Sequence, residues 1–253
     1  MFKPSPGSKA PDPRYIADHH LKWGQPLSSR VRLRLNVRPQ GHRTMHSRRF
    51  ILSLTTIAFG SAAHAQRASP REGEQFSVLK SPQPAAVPGK VEVLEFFSYA
   101  CPHCFEFDPI LEKWRSQLPS GVVFRRIPVP FLNNYANFQR AYFALEMLGQ
   151  LGAAHTRLFE AVHRERKSMG TAEAIADVVA SAGVERAKFL DAFRSFGMTS
   201  LLSKAGSATS DYEIDGVPTL AVGGRYLTSP AQARGLQPAL STAEFLVQKA
   251  LKG

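Results

Sequence analysis

Two residues, Cys101 and Cys104, have the type and spacing that suggest chemistry, and they are the only cysteines in this 253-residue chain. A disulfide between them would close a loop too small to restrain the unfolded chain strongly. The pair suits a reversible disulfide instead, in which the thiolate of one cysteine attacks a disulfide in another molecule. The spacing therefore indicates a redox function, and an inert structural disulfide is one alternative.

Half of a zinc site is the other alternative, because such a pair can supply two of the four ligands that zinc prefers. The chain has no second cysteine pair, and the histidines after residue 66 are only His103, His155 and His163. We therefore expect no metal. We also expect no bound cofactor, since a dithiol carries the electrons itself.

A strand and a helix are predicted to position the two cysteines. Val91–Phe97 is an apolar run, interrupted only by Glu92 and Glu95, and it favours a buried strand. The apolar spacing over Phe105–Leu118 predicts a helix, which Pro119 ends.

A helix that begins at Cys101 would lower the pKa of that thiol, because its free N–H groups and the positive end of its dipole would face the sulfur. Pro102 fits the first helical turn, where its missing N–H costs nothing. His103 can donate a hydrogen bond to the thiolate or, when charged, stabilise it further. Cys104 is expected to be more buried and to resolve a mixed disulfide.

The remaining elements complete an α/β order. Val122–Ile127 predicts a strand, and residues 131–212 show the helical spacing of four or five short helices, with glycines 149, 170, 183 and 197 as C-terminal caps. Val217–Val222 and Arg225–Thr228 then predict a β-hairpin around a Gly-Gly turn, before a final amphipathic helix. The order β-α-β, helical block, β-β-α is that of a thioredoxin fold with an inserted all-helical domain. The predicted bounds are 66–130 and 213–253 for the two parts of the thioredoxin domain and 131–212 for the insertion.

The N-terminal region has the features of an export signal. Residues 45–65 contain Arg48 and Arg49, an apolar segment and Ala63-His64-Ala65, which predicts a signal peptide cleaved after Ala65. Arg48 and Arg49 also fit a twin-arginine export motif in part. Residues 1–44 precede this signal and are interpreted as an over-extended start or a disordered extension. Export would bring the protein to a compartment where disulfides persist.

The basic charge of the chain lies mostly in this leader. The formal net charge is +12 overall, but residues 1–65 account for +9 and the remainder for only +3. A strongly basic folded domain would indicate a polyanion partner. The charge distribution therefore does not support a nucleic-acid partner.

Two motifs resemble a known family. The segment Leu94–Cys104, which ends in Cys-Pro-His-Cys, resembles the active-site region of the DsbA family of periplasmic thiol:disulfide oxidoreductases, in the thioredoxin-like superfamily. Gly216–Thr219 is similar to the cis-proline loop of that family. The resemblance covers about residues 74–253.

The resemblance implies a role for each matching residue at the disulfide. Cys101 would be the exposed nucleophile and Cys104 the buried resolving thiol. Pro218, with a cis bond to Val217, would lie against the disulfide, and an extended substrate would bind along Val217 and Thr219. We expect an apolar groove beside Pro218, bordered by the helical block.

Glu95 is implied to lie beneath the cysteines, near a buried lysine, and to assist proton transfer. Arg126 stands where that lysine is expected, and since arginine keeps its proton, a Glu95–Arg126 pair would not relay one. The alternative is that Glu95 and Arg126 are unrelated and half-exposed.

The predicted function is that of an exported oxidase that donates its Cys101–Cys104 disulfide to folding proteins through a mixed disulfide at Cys101. The resemblance implies reoxidation by a DsbB-like, quinone-linked membrane partner, and we expect a monomer. One alternative is a thiol reductase or disulfide isomerase on the same fold. Another is a secreted binding or chaperone module whose disulfide is only structural.

Overall fold

The structure of the chain, a computed structural model, describes residues 69–252. The predicted signal peptide, its cleavage after Ala65 and the segment 1–44 lie outside the described residues. Within the described part, no helix is both long and apolar enough to cross a membrane.

A five-stranded mixed sheet forms the centre of the fold, in the order β1-β5-β4-β2-β3. Strands β2 and β3 are parallel, and the pairs β2–β4, β4–β5 and β1–β5 are antiparallel. The bounds are β1 Ser77–Val78, β2 Val91–Phe97, β3 Val122–Pro128, β4 Thr219–Val222 and β5 Tyr226–Thr228. The strand β2, which leads to the cysteines, therefore has a strand on each side.

The eight helices of the described residues fall into three groups along the chain. Helix α1 connects β2 to β3, five helices follow β3, and two helices follow β5. Their bounds are α1 Pro102–Arg115, α2 Tyr135–Met147, α3 Leu151–His163, α4 Ala172–Ala180, α5 Arg186–Phe193, α6 Met198–Asp211, α7 Pro230–Ala233 and α8 Leu236–Leu251. This order confirms the predicted α/β architecture, in which a block of five helices is inserted before the hairpin.

Helices α1 and α8 cover the sheet from one side. Val93 of β2 and Leu220 of β4 are fully buried in a cluster with Leu111 of α1 and Leu246 of α8. Side chains alternate between the two faces of a strand, so Glu95 lies on the same face of β2 as Val93. Glu95 is therefore directed toward the layer that contains α1.

The inserted helices share a second core with the sheet. Phe97 at the end of β2 packs edge-on against Tyr142 of α2, with ring centroids 5.4 Å apart, and lies 6.1 Å from Phe159 of α3. The same cluster reaches Ile175 of α4 and Phe189 of α5. The helical block is thus packed onto the strand end that carries the cysteines.

Several predicted boundaries are wrong by a few residues. Helix α1 ends at Arg115 and not at Leu118, while its first turn begins directly after Cys101. The short helix α7 was not predicted. Gly149 and Gly183 have positive φ angles after helices, as expected of C-terminal caps. Gly170 and Gly197 instead precede helices. Gly170 comes just before Thr171, the N-cap of α4, and Gly197 is the N-cap of α6.

Candidate active site

Cys101 is the N-cap residue of α1, and Pro102 occupies the first helical position, as predicted. The extended backbone of Cys101 turns its side chain back over the helix start, where Sγ accepts a hydrogen bond from the backbone N–H of Cys104 at 3.2 Å. This N–H is one of the donors that a helix start leaves without an intrahelical partner. The fold therefore places a sulfur where negative charge is favoured.

The two thiols are held at different pKa values. Hydrogen bonding from the Cys104 side chain lowers the pKa of Cys101 to about 7, and the Cys104 and His103 backbone N–H groups and the charge of His103 act in the same direction against burial. Burial raises the pKa of Cys104 well above its usual range. At neutral pH a substantial fraction of Cys101 is thiolate, while Cys104 keeps its proton.

Burial distinguishes the two sulfurs less than the resemblance implied. Cys101 is 5% exposed and Cys104 is 0% exposed, and both are free thiols in the structure. Cys101 is the more accessible of the two, but the expectation of an exposed Cys101 is wrong. The backbone carbonyl of Val217 lies over it and accepts a hydrogen bond from Cys101 Sγ at 3.4 Å.

The segment Gly216–Thr219 forms the second wall of the site. The Val217–Pro218 peptide bond is cis, as the resemblance implied, and Pro218 is buried. Thr219 donates a hydrogen bond from Oγ1 to the carbonyl of Gly216 at 2.8 Å and begins β4. Two parts of the chain more than a hundred residues apart thus meet at Cys101.

A groove of ≈ 430 Å³ runs beside this wall. Its apolar side includes Val217, Pro218 and Leu236, and its polar side includes the exposed residues His103 and Glu106. None of its lining residues comes from α2–α6, so the expectation that the helical block borders the groove is wrong. Helix α7 and the start of α8 form that border, because the hairpin returns the chain to the cysteines.

Glu95 and Arg126 form a buried ion pair, so the alternative that they are unrelated is wrong. Parallel pairing of β2 with β3 places the two residues side by side, and Arg126 Nε donates to Glu95 Oε2 at 2.6 Å. The side chains are 1% and 8% exposed. Burial raises the pKa of Glu95 to about 7, against the opposing charge of Arg126.

Arg126 has two further carboxylate partners that the sequence reasoning missed. Its Nη2 donates to Asp108 Oδ1 at 3.0 Å and to Glu112 Oε1 at 2.6 Å. Cys104, Asp108 and Glu112 are spaced four residues apart and therefore lie on one face of α1. That spacing was the available signal, because it places both carboxylates on the helix face that carries Cys104, and carboxylates buried there require a cation.

A histidine of the inserted block joins the same network. His155 Nε2 lies 3.1 Å from Asp108 Oδ1, and His155 Nδ1 lies 2.8 Å from the hydroxyl of Tyr99. Tyr99 is 0% exposed and His155 4%. No local sequence signal joins these residues, because their contact depends on the packing of α3 against α1. Within residues 69–252, no group of three or more His, Cys, Asp or Glu side chains is placed to hold a metal ion.

Comparison with known proteins gives consistent results. Residues 92–240 match the family model of the DSBA-like thioredoxin domain. The chain is 37% identical over 203 residues to the thiol:disulfide interchange protein DsbA of Burkholderia cepacia, covering 79% of this chain and 96% of that protein. It is also 37% identical over 191 residues to the protein of the same name from Pseudomonas aeruginosa, covering 76% of this chain and 90% of that protein.

Solved structures show the same relationship. The crystal structure of Pseudomonas aeruginosa DsbA aligns with a TM-score of 0.68 at 37% identity, covering 70% of this chain and 92% of that chain. The oxidoreductase DsbA from Xylella fastidiosa aligns with a TM-score of 0.68 at 29% identity, covering 73% and 99%. A redox-active Cys101–Cys104 pair on a thioredoxin fold with a helical insertion, together with these matches, shows that the chain belongs to the DsbA family of thiol:disulfide interchange proteins.

Proposed function

We propose that this thiol:disulfide oxidoreductase works as an oxidase, which donates the Cys101–Cys104 disulfide to other proteins. The observation that carries the proposal is the 3.2 Å hydrogen bond from the backbone N–H of Cys104 to Cys101 Sγ at the start of α1. It stabilises the Cys101 thiolate and so the reduced form of the pair. A stabilised reduced form makes the disulfide a stronger oxidant of other thiols.

The proposed exchange has two steps. A substrate thiolate attacks Cys101 Sγ, the bond to Cys104 breaks, and Cys104 leaves with the electron pair. A second substrate thiolate then attacks the substrate sulfur of the mixed disulfide, and Cys101 leaves as a thiolate. The lower pKa of Cys101, about 7, supports its role as the attacked and leaving sulfur, and the greater burial of Cys104 supports its role as the resolving thiol. We assign His103 and Pro102 the supporting roles of stabilising this thiolate and starting α1.

Family membership implies protein substrates, and we propose that they bind in the groove beside Pro218. The strand pairing of β4 begins at Thr219, and the backbone of Val217 just before it can pair with an extended chain. The groove opens next to His103, so a bound chain would present its cysteine to Cys101. A groove that binds an extended segment of the substrate suits proteins that have not yet folded.

We propose the periplasm as the location, with export directed by residues 45–65 and cleavage after Ala65. The proposed source of oxidising equivalents is a DsbB-like, quinone-linked membrane oxidase, and the proposed working form is a monomer. The basis is the family membership together with the signal-like composition of residues 45–65.

A thiol reductase on the same fold is the second candidate, and one observation favours it. The pKa of Cys101 is lowered only to about 7. A moderately stabilised thiolate makes a weaker oxidant than a strongly stabilised one.

The roles of the cysteines are tested by Cys101→Ser and Cys104→Ser, assayed by oxidation of a reduced substrate protein and by insulin reduction. We expect Cys101→Ser to reduce both activities to background, because the remaining thiol, Cys104, is fully buried and cannot reach a substrate to form the mixed disulfide. Cys104→Ser should instead accumulate mixed disulfides, visible as a mass increase that dithiothreitol removes. Retained activity of Cys101→Ser would refute the proposed function and favour a binding module with a structural disulfide.

The direction of the reaction is tested by equilibration with glutathione. General reference values are about −120 mV for DsbA-type oxidants and about −270 mV for thioredoxins. We expect a potential nearer the first value. A potential near the second would identify a reductase.

A further inference from the structure

Three carboxylates surround the single guanidinium group of Arg126. Glu95, Asp108 and Glu112 each accept a hydrogen bond from it, at 2.6, 3.0 and 2.6 Å. If all three were ionised, one guanidinium would face three negative charges, two of them on the buried side chains of Glu95 and Asp108. Neighbouring like charges in a poorly solvated site favour a bound proton on one of the groups.

The number of donors at each carboxyl indicates which one holds the proton. Glu112 is 36% exposed and has a second cation, Arg115, at 2.7 Å. Despite the opposing effect of burial, Arg115 and Arg126 lower the pKa of Glu112 to about 2. Glu112 is therefore an anion throughout the neutral range.

Asp108 also has a second donor, the imidazole of His155. Tyr99 has a hydroxyl proton to donate to His155 Nδ1 at 2.8 Å, which leaves the proton of the neutral ring on Nε2, 3.1 Å from Asp108 Oδ1. Burial lowers the pKa of His155, which agrees with a neutral ring. Asp108 thus accepts from both His155 and Arg126.

Glu95 is the least stabilised anion of the three. It is 1% exposed, and Arg126 Nε is the one hydrogen-bond donor that residues 69–252 supply to its carboxyl. Hydrogen bonds to a carboxylate favour the charged form, so the carboxyl with fewest donors takes the proton.

We propose that Asp108, oriented by His155, is a positioning residue for disulfide exchange. Because Arg126 also donates a hydrogen bond to Asp108, its positive charge is shared between Asp108 and Glu95. Glu95 is then the carboxyl that holds a proton for Cys104. This inference rests on the proposed function, and it takes the proton-carrying role of Glu95 from the family resemblance; the new element is the role of Asp108 and His155. It also explains how Glu95 can carry a proton although Arg126 cannot relay one. Glu95 itself binds and releases the proton, and Arg126 supplies only the positive charge that the carboxylates share.

The proton moves with the electrons of the exchange. When a substrate thiolate attacks Cys101 Sγ, the electron pair of the broken S–S bond goes to Cys104 Sγ, and Glu95 protonates that sulfur and becomes a carboxylate. On reoxidation Cys104 returns the proton to Glu95 as its sulfur attacks the mixed disulfide at Cys101. Burial, with the charge of Glu95 acting in the same direction, raises the pKa of the Cys104 thiol, so this sulfur requires a proton in order to leave.

The titratable or charged groups around Glu95 come from β3, α1, α2, α3 and the end of β2, whereas β4, which pairs with Glu95 at Leu220, contributes none. These groups are Arg126 from β3, Cys104, Asp108 and Glu112 from α1, Tyr142 from α2, His155 from α3 and Tyr99 after β2. Asp108 and His155 are the residues to alter, because the inference depends on the contact between them, and Arg126 and both cysteines are kept.

The test measures the protonation of Glu95 and the pH profile of exchange in the purified protein. The infrared band of the protonated carboxyl, identified by its loss in Glu95→Gln, is titrated, and the reaction of the oxidised protein with a cysteine peptide is followed by stopped flow. In Asp108→Asn we expect both midpoints to fall by about one pH unit, because a neighbouring negative charge is removed. The rate at pH 7 should then fall about fivefold, as the protonated fraction of Glu95 drops from about one half to about one tenth.

Two histidine variants separate positioning from mere packing. His155→Phe fills the same space but gives Asp108 no hydrogen-bond donor. Asp108 would then compete with Glu95 for the proton, and the midpoint of the Glu95 titration should again fall. His155→Gln retains an N–H donor and should stay within about 0.3 unit of the wild-type midpoint. These two variants decide the question on their own if Asp108→Asn does not fold.

Glu92→Gln is the matched control. Glu92 is a buried carboxylate on the same strand, paired with Arg125 at 2.7 Å, but it lies on the opposite face of β2. It should leave both midpoints unchanged. The inference is overturned if Asp108→Asn and His155→Phe behave like Glu92→Gln, or if His155→Gln shifts the midpoints as far as His155→Phe. Such a result would leave the proposed function standing, since that depends on the loss of activity in Cys101→Ser.

Discussion

Cys101 is set apart from Cys104 by one backbone hydrogen bond and by position. Its sulfur caps α1, while the sulfur of Cys104 is fully buried one helical turn further on. The lowered pKa of Cys101 also links redox state to stability. A thiol whose folded pKa lies below its unfolded value stabilises the reduced protein above the unfolded pKa, and loses that effect as the pH falls through the folded value of about 7.

At the residue scale we predict the thiolate titration of the reduced protein. The absorbance of the Cys101 thiolate should rise with a midpoint near pH 7. His103→Ala should raise this midpoint by about half a unit, because the His103 charge contributes to lowering the pKa of Cys101. Lys113→Ala, which removes a cation from the last turn of the same helix, is the control and should leave the midpoint unchanged. An unchanged midpoint in His103→Ala would show that this side chain has no electrostatic role.

Strands β2 and β3 and helix α1 are held together by charges as well as by apolar contacts. Arg126 lies between the sheet and α1, 8% exposed, and bonds one carboxylate from β2 and two from α1. Removal of one partner from a buried network leaves uncompensated charge, whereas an exposed pair contributes little. The ion pairs of this protein should therefore differ greatly in their effect on stability.

At the element scale we predict that Arg126→Met lowers the free energy of unfolding by about 3–5 kcal/mol, with a smaller loss in Arg126→Lys, which keeps the charge. The matched control is Arg186→Met, which breaks an exposed pair with Asp177 and should cost less than about 1 kcal/mol. Urea unfolding followed by circular dichroism measures both. Equal losses in the two methionine variants would contradict a structural role for the Arg126 network.

The inserted helices and the sheet form one continuous core. Phe159 of α3 is 1% exposed, and its ring lies 6.1 Å from Phe97 of β2 and 4.9 Å from Tyr99. The same packing brings His155 to Asp108. The insertion is thus part of the support of the site as well as an addition to it.

At the scale of the whole molecule we predict a single unfolding transition for the sheet and the inserted helices. Phe159→Ala should lower the free energy of unfolding by about 3–5 kcal/mol and shift this one transition. Phe196→Ala is the matched control, because Phe196 is 98% exposed and its removal should change the free energy by no more than about 0.5 kcal/mol. Denaturation monitored by far-ultraviolet circular dichroism and by loss of exchange activity should give the same midpoint. Separate midpoints would show that the helical block unfolds independently.

Local patterns were sufficient to predict much of this protein. Val91–Phe97 is a strand with the predicted bounds, because its apolar and aromatic run suits a strand with neighbours on both sides. Pro102 starts α1, and Gly223-Gly224, both at positive φ, form the predicted hairpin turn. The Glu95–Arg126 pair was also predicted, although only through the family resemblance.

Other features were predicted incorrectly or missed. The end of α1 was placed three residues too late, and α7 was not predicted, because short elements and helix ends depend on tertiary contacts. The border of the groove was assigned to the helical block, whereas α7 and the start of α8 form it. Asp108 is a site residue that the sequence did not predict, although its four-residue spacing from Cys104 was a usable signal.

The sequence by itself determined the redox pair, the order of strands and helices apart from α7, and the family, because these depend on residue types at short and regular spacing. The tertiary structure alone decided that Val217 covers Cys101, that Arg126 serves three carboxylates, and that His155 reaches Asp108. Those contacts join residues far apart in the chain, so they follow from how helices and strands pack and not from any local pattern. The same packing gives Glu95 one hydrogen-bond donor and Asp108 two, and this difference determines which carboxyl can hold the proton.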